Sequence, residues 1–377
     1  MKIRIRKSLL AGFLSLILAL LFGLLAHILS SGLIDQQAAV RWSPQGGASQ
    51  ISCYFSQRAA VTPETLKSFG YSLDGALKSE SITVESENPG ARLWVDCYSA
   101  EGKLTLTNKK KSITTDAIGI GGDFFLFHPF PLESGSYFSG DDLMQDYCVI
   151  DENAAWQLFG SNDVAGQMIT IGGIPHMVIG VIQQPEGRLY EAAGLDGSLV
   201  YVSYDTLSKY GQSQGINHYE ILMPNPVDGY ALTKVTEGLR VDEKEMEMVE
   251  NSTRFSFLNM CKLLTRVGTR SMNGKAISYP FWENVARGYE DMVSMAVFGM
   301  LLFLVYPIGY VLIRLILWWK RRSWTWKDAV KWLLGRLSAL GRLLVGILKG
   351  KKSKKKRTSD VDPYFEEEED YEKEMDE

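Results

Sequence analysis

Two long apolar runs near the ends of the chain dominate its hydrophobic pattern. The first, over residues 8–30, reads SLLAGFLSLILALLFGLLAHILS and contains no formal charge. A helix rises 1.5 Å per residue, so roughly 20 such residues cross a hydrocarbon core of about 30 Å. The second, over residues 292–317, reads MVSMAVFGMLLFLVYPIGYVLIRLIL. Pro307 interrupts it, which a membrane helix tolerates. Arg314 near its end can snorkel, and Trp318 and Trp319 follow as an interfacial belt would. Two spans are predicted. A cleaved signal peptide competes for the first run, with Ser30, Ser31 and Gly32 as its small-residue site, and a buried soluble helix competes for the second.

Between the runs the pattern alternates strand and helix signals. Residues 51–55 read as a strand. Thr62 before Pro63 predicts a helix start, with the helix reaching Ser79. Residues 81–84 are strand-like. Leu93, Val95 and Cys97 alternate with Trp94, Asp96 and Tyr98, and Leu104 and Leu106 continue that theme. Residues 147–150 predict a buried strand. Asp151 then caps a short helix that Gly160 ends. Residues 168–171 and 175–182 predict a hairpin through Gly172 and Gly173. Strands over 198–202 and 219–223 and helices over 205–210 and 227–239 complete an α+β domain with mixed sheets.

Charge sets the orientation. Lys2, Arg4, Arg6 and Lys7 precede the first run, and Lys320, Arg321, Arg322 and Lys327 follow the second. Positive flanks stay in the cytoplasm, so both termini are expected there and residues 31–291 outside. The expected organisation is a basic N-terminus (1–7), a span (8–30), the outer domain (31–291), a span (292–317), a juxtamembrane helix (318–349) and a tail (350–377). Residues 327–349 have an apolar face and a face bearing Lys331, Arg342 and Lys349, which reads as an interfacial helix; a short third span is the alternative. Lys351, Lys352, Lys354, Lys355, Lys356 and Arg357 are expected to bind anionic membrane lipid. The acidic residues after them read as a solvated tail. Overall the net charge is −4 over 377 residues, which gives no indication of nucleic-acid binding.

Candidate chemistry is sparse. Cysteines stand at 53, 97, 148 and 261 with no Cys-x-x-Cys pair. Cys53 and Cys97, on strands expected to be neighbours, can form a disulfide or remain free; Cys148 reads as a core residue. His27, His128, His176 and His218 show no metal-ligand spacing, and no metal or cofactor is expected. Gly119, Ile120, Gly121 and Gly122 form a glycine cluster without the Gly-Lys-Ser/Thr of a phosphate loop. Asp141 and Asp142 read as a turn, and Asn251-Ser252-Thr253 matches a glycosylation sequon. No nucleophile, acid and base can be picked out, so no enzyme is expected. Ser294, Ala296 and Gly299 offer a loose small-residue patch for packing against a partner helix.

The run CVIDENAAWQLFGSNDVAGQMITIGGIPHMVIGVI resembles the MacB-like periplasmic core domain of FtsX-like ABC transporter permeases. Its pieces are Leu158-Phe159-Gly160, Asp163-Val164-Ala165-Gly166 and Val178-Ile179-Gly180-Val181. Upstream, Phe124-Phe125 and residues 131–135 look like the family's approach to a Gly-Arg-x-Phe turn, with Ser136 in place of the arginine. The resemblance is clear over about residues 118–205 and looser over 1–317. It implies a permease-like component working with an ABC ATPase subunit and another permease-like chain. Such permeases carry one span before the outer domain and three after it, whereas one is predicted here. A stand-alone membrane-anchored binding or sensor protein is therefore the alternative, and an enzyme with an unfamiliar outer site a further one.

Overall fold

The computed structural model describes residues 7–83, 91–109, 111–140, 142–195, 197–266 and 277–321. The chain divides into two units, Met1–Tyr306 and Pro307–Glu377. The first unit holds the outer domain. Its strands are β1 (Ala48–Phe55), β2 (Val95–Asn108), β3 (Lys111–Gly122), β4 (Leu132–Gly135), β5 (Tyr147–Asp151), β6 (Met168–Ile171), β7 (Ile174–Ile182), β8 (Leu199–Ser203), β9 (Gln212–Ser213), β10 (His218–Pro224) and β11 (Met246–Glu250). The described strands join one mixed sheet in the order β11-β1-β10-β2-β3-β8-β5-β7-β4, with β6 bridging β2 and β7 and β9 on β2. The β3/β8 and β5/β7 pairs are parallel.

The β2–β3 hairpin is the spine. Its strands of 14 and 12 residues reach about 40–45 Å, twice an ordinary strand. The start of β2 pairs with β10, and its end pairs with β6. Two lobes therefore share one ladder. In one lobe, helices Pro63–Ser79 and Tyr230–Leu239 cover β1 and β10 through Phe69, Leu73, Val235 and Leu239. In the other, Glu152–Phe159 and Tyr204–Tyr210 cover the central strands through Ala154, Leu158 and Leu207.

Local signals produced these helices. The Thr62 hydroxyl accepts from Thr65 N–H at 3.3 Å, and Pro63 occupies the first turn, where its missing N–H costs nothing. Asp151 Oδ1 accepts from Ala154 N–H at 2.7 Å, and Gly160 closes that helix at φ +77°. The Gly172-Gly173 turn joins β6 to β7, with Gly172 at φ +58°.

Elsewhere the structure departs from the sequence reading. Residues 81–83 are not a strand: the chain turns at Ser81, φ +60°, and Ile82 N–H bonds back to Leu77 C=O at 3.0 Å. Val84 lies outside the described residues. The helix expected from 227 begins at Tyr230. The glycine cluster belongs to β3, where Tyr98, directly across the ladder, lays its ring over Gly121. A Cβ on Gly121 would sit about 2.1 Å from that ring.

Two helices are long and apolar enough to cross a membrane: Lys7–Ser31, and one beginning at Phe281 that runs to Arg321. Within the first unit they pack side by side. Phe22 stacks on Phe303 with centroids 5.7 Å apart, and Ser15 Oγ donates to Phe303 C=O at 2.5 Å. Glycines alternate with large partners: Gly23 faces Met300, Gly299 faces Phe22 and Gly12 faces Tyr306. The second helix has 41 residues, about 60 Å, twice a hydrocarbon core.

Candidate functional site: a buried ionic seam

The first ten residues of the second helix are not apolar. Glu283, Arg287 and Glu290 recur at the i, i+4, i+7 spacing that places them on one helix face. All three are buried, as is Arg254 of the short helix Asn251–Arg254. Charges in such positions must be paired and hydrogen-bonded. Arg254 grips Glu283 with two bonds, Nη1 to Oε2 at 2.7 Å and Nη2 to Oε1 at 2.9 Å. Its Nε donates to Glu290 at 2.6 Å, and Nη1 also reaches Gln36 at 3.0 Å. Arg287 donates to Glu283 at 2.6 Å and to Glu247 at 2.8 Å, and lies 3.7 Å above the Tyr279 ring. Tyr54 O–H donates to Glu283 at 2.9 Å.

The seam draws on five places in the chain. Gln36 follows the first apolar helix, Tyr54 is on β1, Glu247 on the edge strand β11, Arg254 on the following helix, and the rest on the second apolar helix. Burial would lower the Arg254 pKa, but Glu283 and Glu290 outweigh it and hold the guanidinium firmly charged. Burial, with Glu283 and Glu220 beside it, pushes the Tyr54 phenol well above its ordinary value. A buried ion pair adds little net stability, whereas removing one partner costs about 3–5 kcal/mol. The seam therefore fixes geometry.

A second polar cluster adjoins it. His218 and Glu220 stand two apart on β10 and so share a face, and His128 follows the short helix Phe124–Phe127. His128 Nε2 lies 3.1 Å from Glu220 Oε2, and His218 Nε2 lies 3.6 Å from Glu220 Oε1. Tyr54 stacks on His218 at 5.2 Å, linking cluster to seam, and Trp282 approaches His128 at 4.5 Å. Burial would lower His128, but Glu220 and Asp35 outweigh it and raise it to about 9. Burial would raise Glu220; the two histidines outweigh it and hold it below the usual carboxylate range. His218 is lowered by burial, and one carboxylate between two imidazoles cannot hold both charged. Among the described residues, this trio is the group whose donor atoms could together hold a metal ion.

The residues singled out from the sequence lie elsewhere. Cys53 and Cys97 are buried free thiols. Their strands are not neighbours, because β10 runs between them; two strand spacings of about 4.8 Å exceed the 4.4–6.8 Å Cα separation of disulfides. They also face opposite sides, since Cys53 pairs with Tyr219 and Cys97 with Glu220. Ser294 and Ala296 are buried within the chain beside Met260, and Gly299 receives Phe22. The small-residue patch thus packs within the chain, Gly299 against the first helix and Ser294 against Met260. Lys351, Lys352, Lys354, Lys355, Lys356 and Arg357 lie outside the described residues. Asn251 of the sequon is buried and donates to Ser52 Oγ at 2.6 Å, which leaves no room for a glycan. Sequence reasoning missed the seam because its members are spread from residue 36 to 290; the Glu283/Arg287/Glu290 spacing was the available signal.

The macrolide export ATP-binding/permease protein MacB of Chromobacterium violaceum is 30% identical over 150 residues, covering 38% of this chain and 22% of that protein. The protein of the same name from Shewanella sp. (strain ANA-3) is 33% identical over 175 residues, covering 44% and 26%. The chain thus spans about a quarter of the length of such relatives. Among solved structures, the extracellular domain of the noncanonic ABC-type transporter YknZ from Gram-positive bacteria aligns at TM-score 0.35 and 15% identity, over 53% of this chain and 99% of that one. The periplasmic region of MacB from Actinobacillus actinomycetemcomitans aligns at 0.35 and 17%, over 57% and 92%. The profile of the MacB-like periplasmic core domain matches residues 12–249, more than half of the chain. This α+β protein, with an extracytoplasmic domain anchored by flanking apolar helices, belongs to the MacB-like periplasmic core domain family of ABC transporter permeases.

Proposed function

We propose that this chain is a non-catalytic, permease-type component of an ABC-type transporter or mechanotransmission assembly, in which a partner subunit hydrolyses ATP. Movement of the second span is delivered to the outer domain, with both termini in the cytoplasm and the span running over 292–317. The observation that carries this reading is the ionic seam. It joins the first ten residues of the second helix to β1, β11 and the segment after the first helix through buried, multiply bonded charges. A tilt of that helix must then move the sheet, because slipping would unpair buried ions. Lys351, Lys352, Lys354, Lys355, Lys356 and Arg357 are assigned to the anionic inner leaflet.

The test is purification from native membranes in gentle detergent, followed by mass spectrometry of what accompanies the chain. An ATPase subunit and another permease-like chain are expected, while the chain alone in nanodiscs hydrolyses no ATP. Repeated recovery of this chain by itself overturns the reading in favour of a membrane-anchored binding or sensor protein. That second reading is favoured by two open clefts of about 600 and 670 Å³ on the outer domain, one lined by Glu101, Lys103 and Asp116 and the other by Tyr71, Trp94 and Tyr98.

A further inference from the structure

We propose that His128, His218 and Glu220 form a binding site for a borderline divalent transition-metal ion of the zinc class. The proposal stands whether or not the chain works in an ABC assembly. Two imidazoles and a carboxylate are the donor set such ions prefer, whereas magnesium and calcium take oxygen donors. The three side chains are at most 1% exposed. One donor atom from each can be chosen so that all lie within 4.8 Å of one another. Donors about 2.0–2.1 Å from a tetrahedral ion stand about 3.3 Å apart. His128 Nε2 lies 3.1 Å from Glu220 Oε2 and His218 Nε2 lies 3.6 Å from Glu220 Oε1, on either side of that spacing.

A second observation points the same way. Both nitrogens of His128, His218 Nε2 and Glu220 Oε2 are buried and make no aligned hydrogen bond, although such atoms are rarely left so. The opposite ring nitrogen of His218 is engaged as that of a metal ligand is, and that of His128 lies near a carboxylate. His128 Nδ1 faces Asp35 Oδ1 at 3.4 Å, and His218 Nδ1 meets Ser99 Oγ at 3.1 Å. The Ser99 contact directs His218 Nε2 toward the shared space and suits the tautomer that can ligate. Glu220 Oε1 is held in turn by Ser52 and Asn251.

The ion would pin β10 to the segment around His128. Through Asp35 it would also brace the stretch after the first apolar helix, and Trp282 lies against the site. Because no ligand is exposed, the ion enters as the domain folds, and its role is structural.

The experiment therefore supplies metal during expression. The full-length chain, with a tag free of histidine, is produced in medium supplemented with zinc or with cobalt and purified in detergent. Metal is counted by mass spectrometry, and the cobalt form is examined for visible d–d absorption. About one equivalent of zinc per chain and a tetrahedral cobalt spectrum are expected. Chelation under mild denaturant should lower the melting temperature, and zinc should restore it. His218→Gln and Glu220→Gln should abolish the spectrum, while His176→Gln, buried in the other lobe, should leave it intact. Asp35→Asn should keep the ligands but weaken affinity about 10–100-fold, as loss of an outer-shell partner does. Wild-type protein carrying no metal, or giving no cobalt band, overturns the proposal whatever the variants do. So does metal content that is the same in wild type and a folded His218→Gln protein.

Discussion

Arg254 makes four hydrogen bonds to three residues, Gln36 far upstream and Glu283 and Glu290 on the second apolar helix. Arg254→Ala should therefore cost about 3–5 kcal/mol in urea unfolding, because Glu283 and Glu290 are left buried against one remaining arginine. Arg254→Lys should recover only part of this, since an ammonium cannot reproduce the two-pronged grip on Glu283. A pH dependence follows at His128. With metal chelated, its folded value near 9 exceeds the ordinary imidazole value, so its contribution is complete below about pH 6.5 and is lost as pH rises through about 9. Glu220 is shifted downward, so its contribution is present above the ordinary carboxylate value and is lost in acid. The destabilisation caused by His128→Gln should thus be largest between about pH 4.5 and 6.5 and shrink as pH rises toward 10. A flat difference across that range would contradict this account of the pair. The histidine–carboxylate cluster was not legible from the sequence. Histidines at 128 and 218 have no metal spacing in the chain, and only the ladder brings them to one carboxylate.

At the scale of elements, legibility followed locality. The helix at Pro63–Ser79, the Asp151 cap with its Gly160 stop, and the Gly172-Gly173 hairpin are each specified by side chains within a few residues. The last two lie where the resemblance to the permease domain was also clearest. Strand order is specified by contacts across the whole domain. The Cys53–Cys97 expectation failed because β10, over a hundred residues later in the chain, inserts between their strands. The small-residue patch of the second span was likewise visible, but its partners were not: Phe22 and Met260 of the same chain meet Gly299 and Ser294. Gly299→Leu places a branched side chain where a Cβ alone comes within 2.8 Å of the Phe22 ring. Overpacking of this kind costs about 1–3 kcal/mol. A cysteine pair introduced at Ser15 and Phe303 should crosslink in the parent and clearly less in the Gly299→Leu background. The far-ultraviolet circular dichroism of the outer domain should not change.

For the whole molecule, the proposed topology makes a direct statement about access. Cysteines introduced at exposed outer positions such as Tyr71 or Trp156 should react with an impermeant reagent added to intact cells, and cysteines within 358–377 should not. Labelling of the tail from outside would instead require a third crossing over residues 327–349. The domain between the spans has two lobes with helix-covered apolar cores, an arrangement that ordinarily permits two independent melting events, and a third cluster draws on strands of both. Here β2 and β3 run unbroken through both, and their paired amides belong to each core at once. Opening either lobe exposes half of a ladder whose other half is still held. The lobes should accordingly lose protection against deuterium together, in a single calorimetric transition, with amides of residues 95–108 and 111–122 exchanging last.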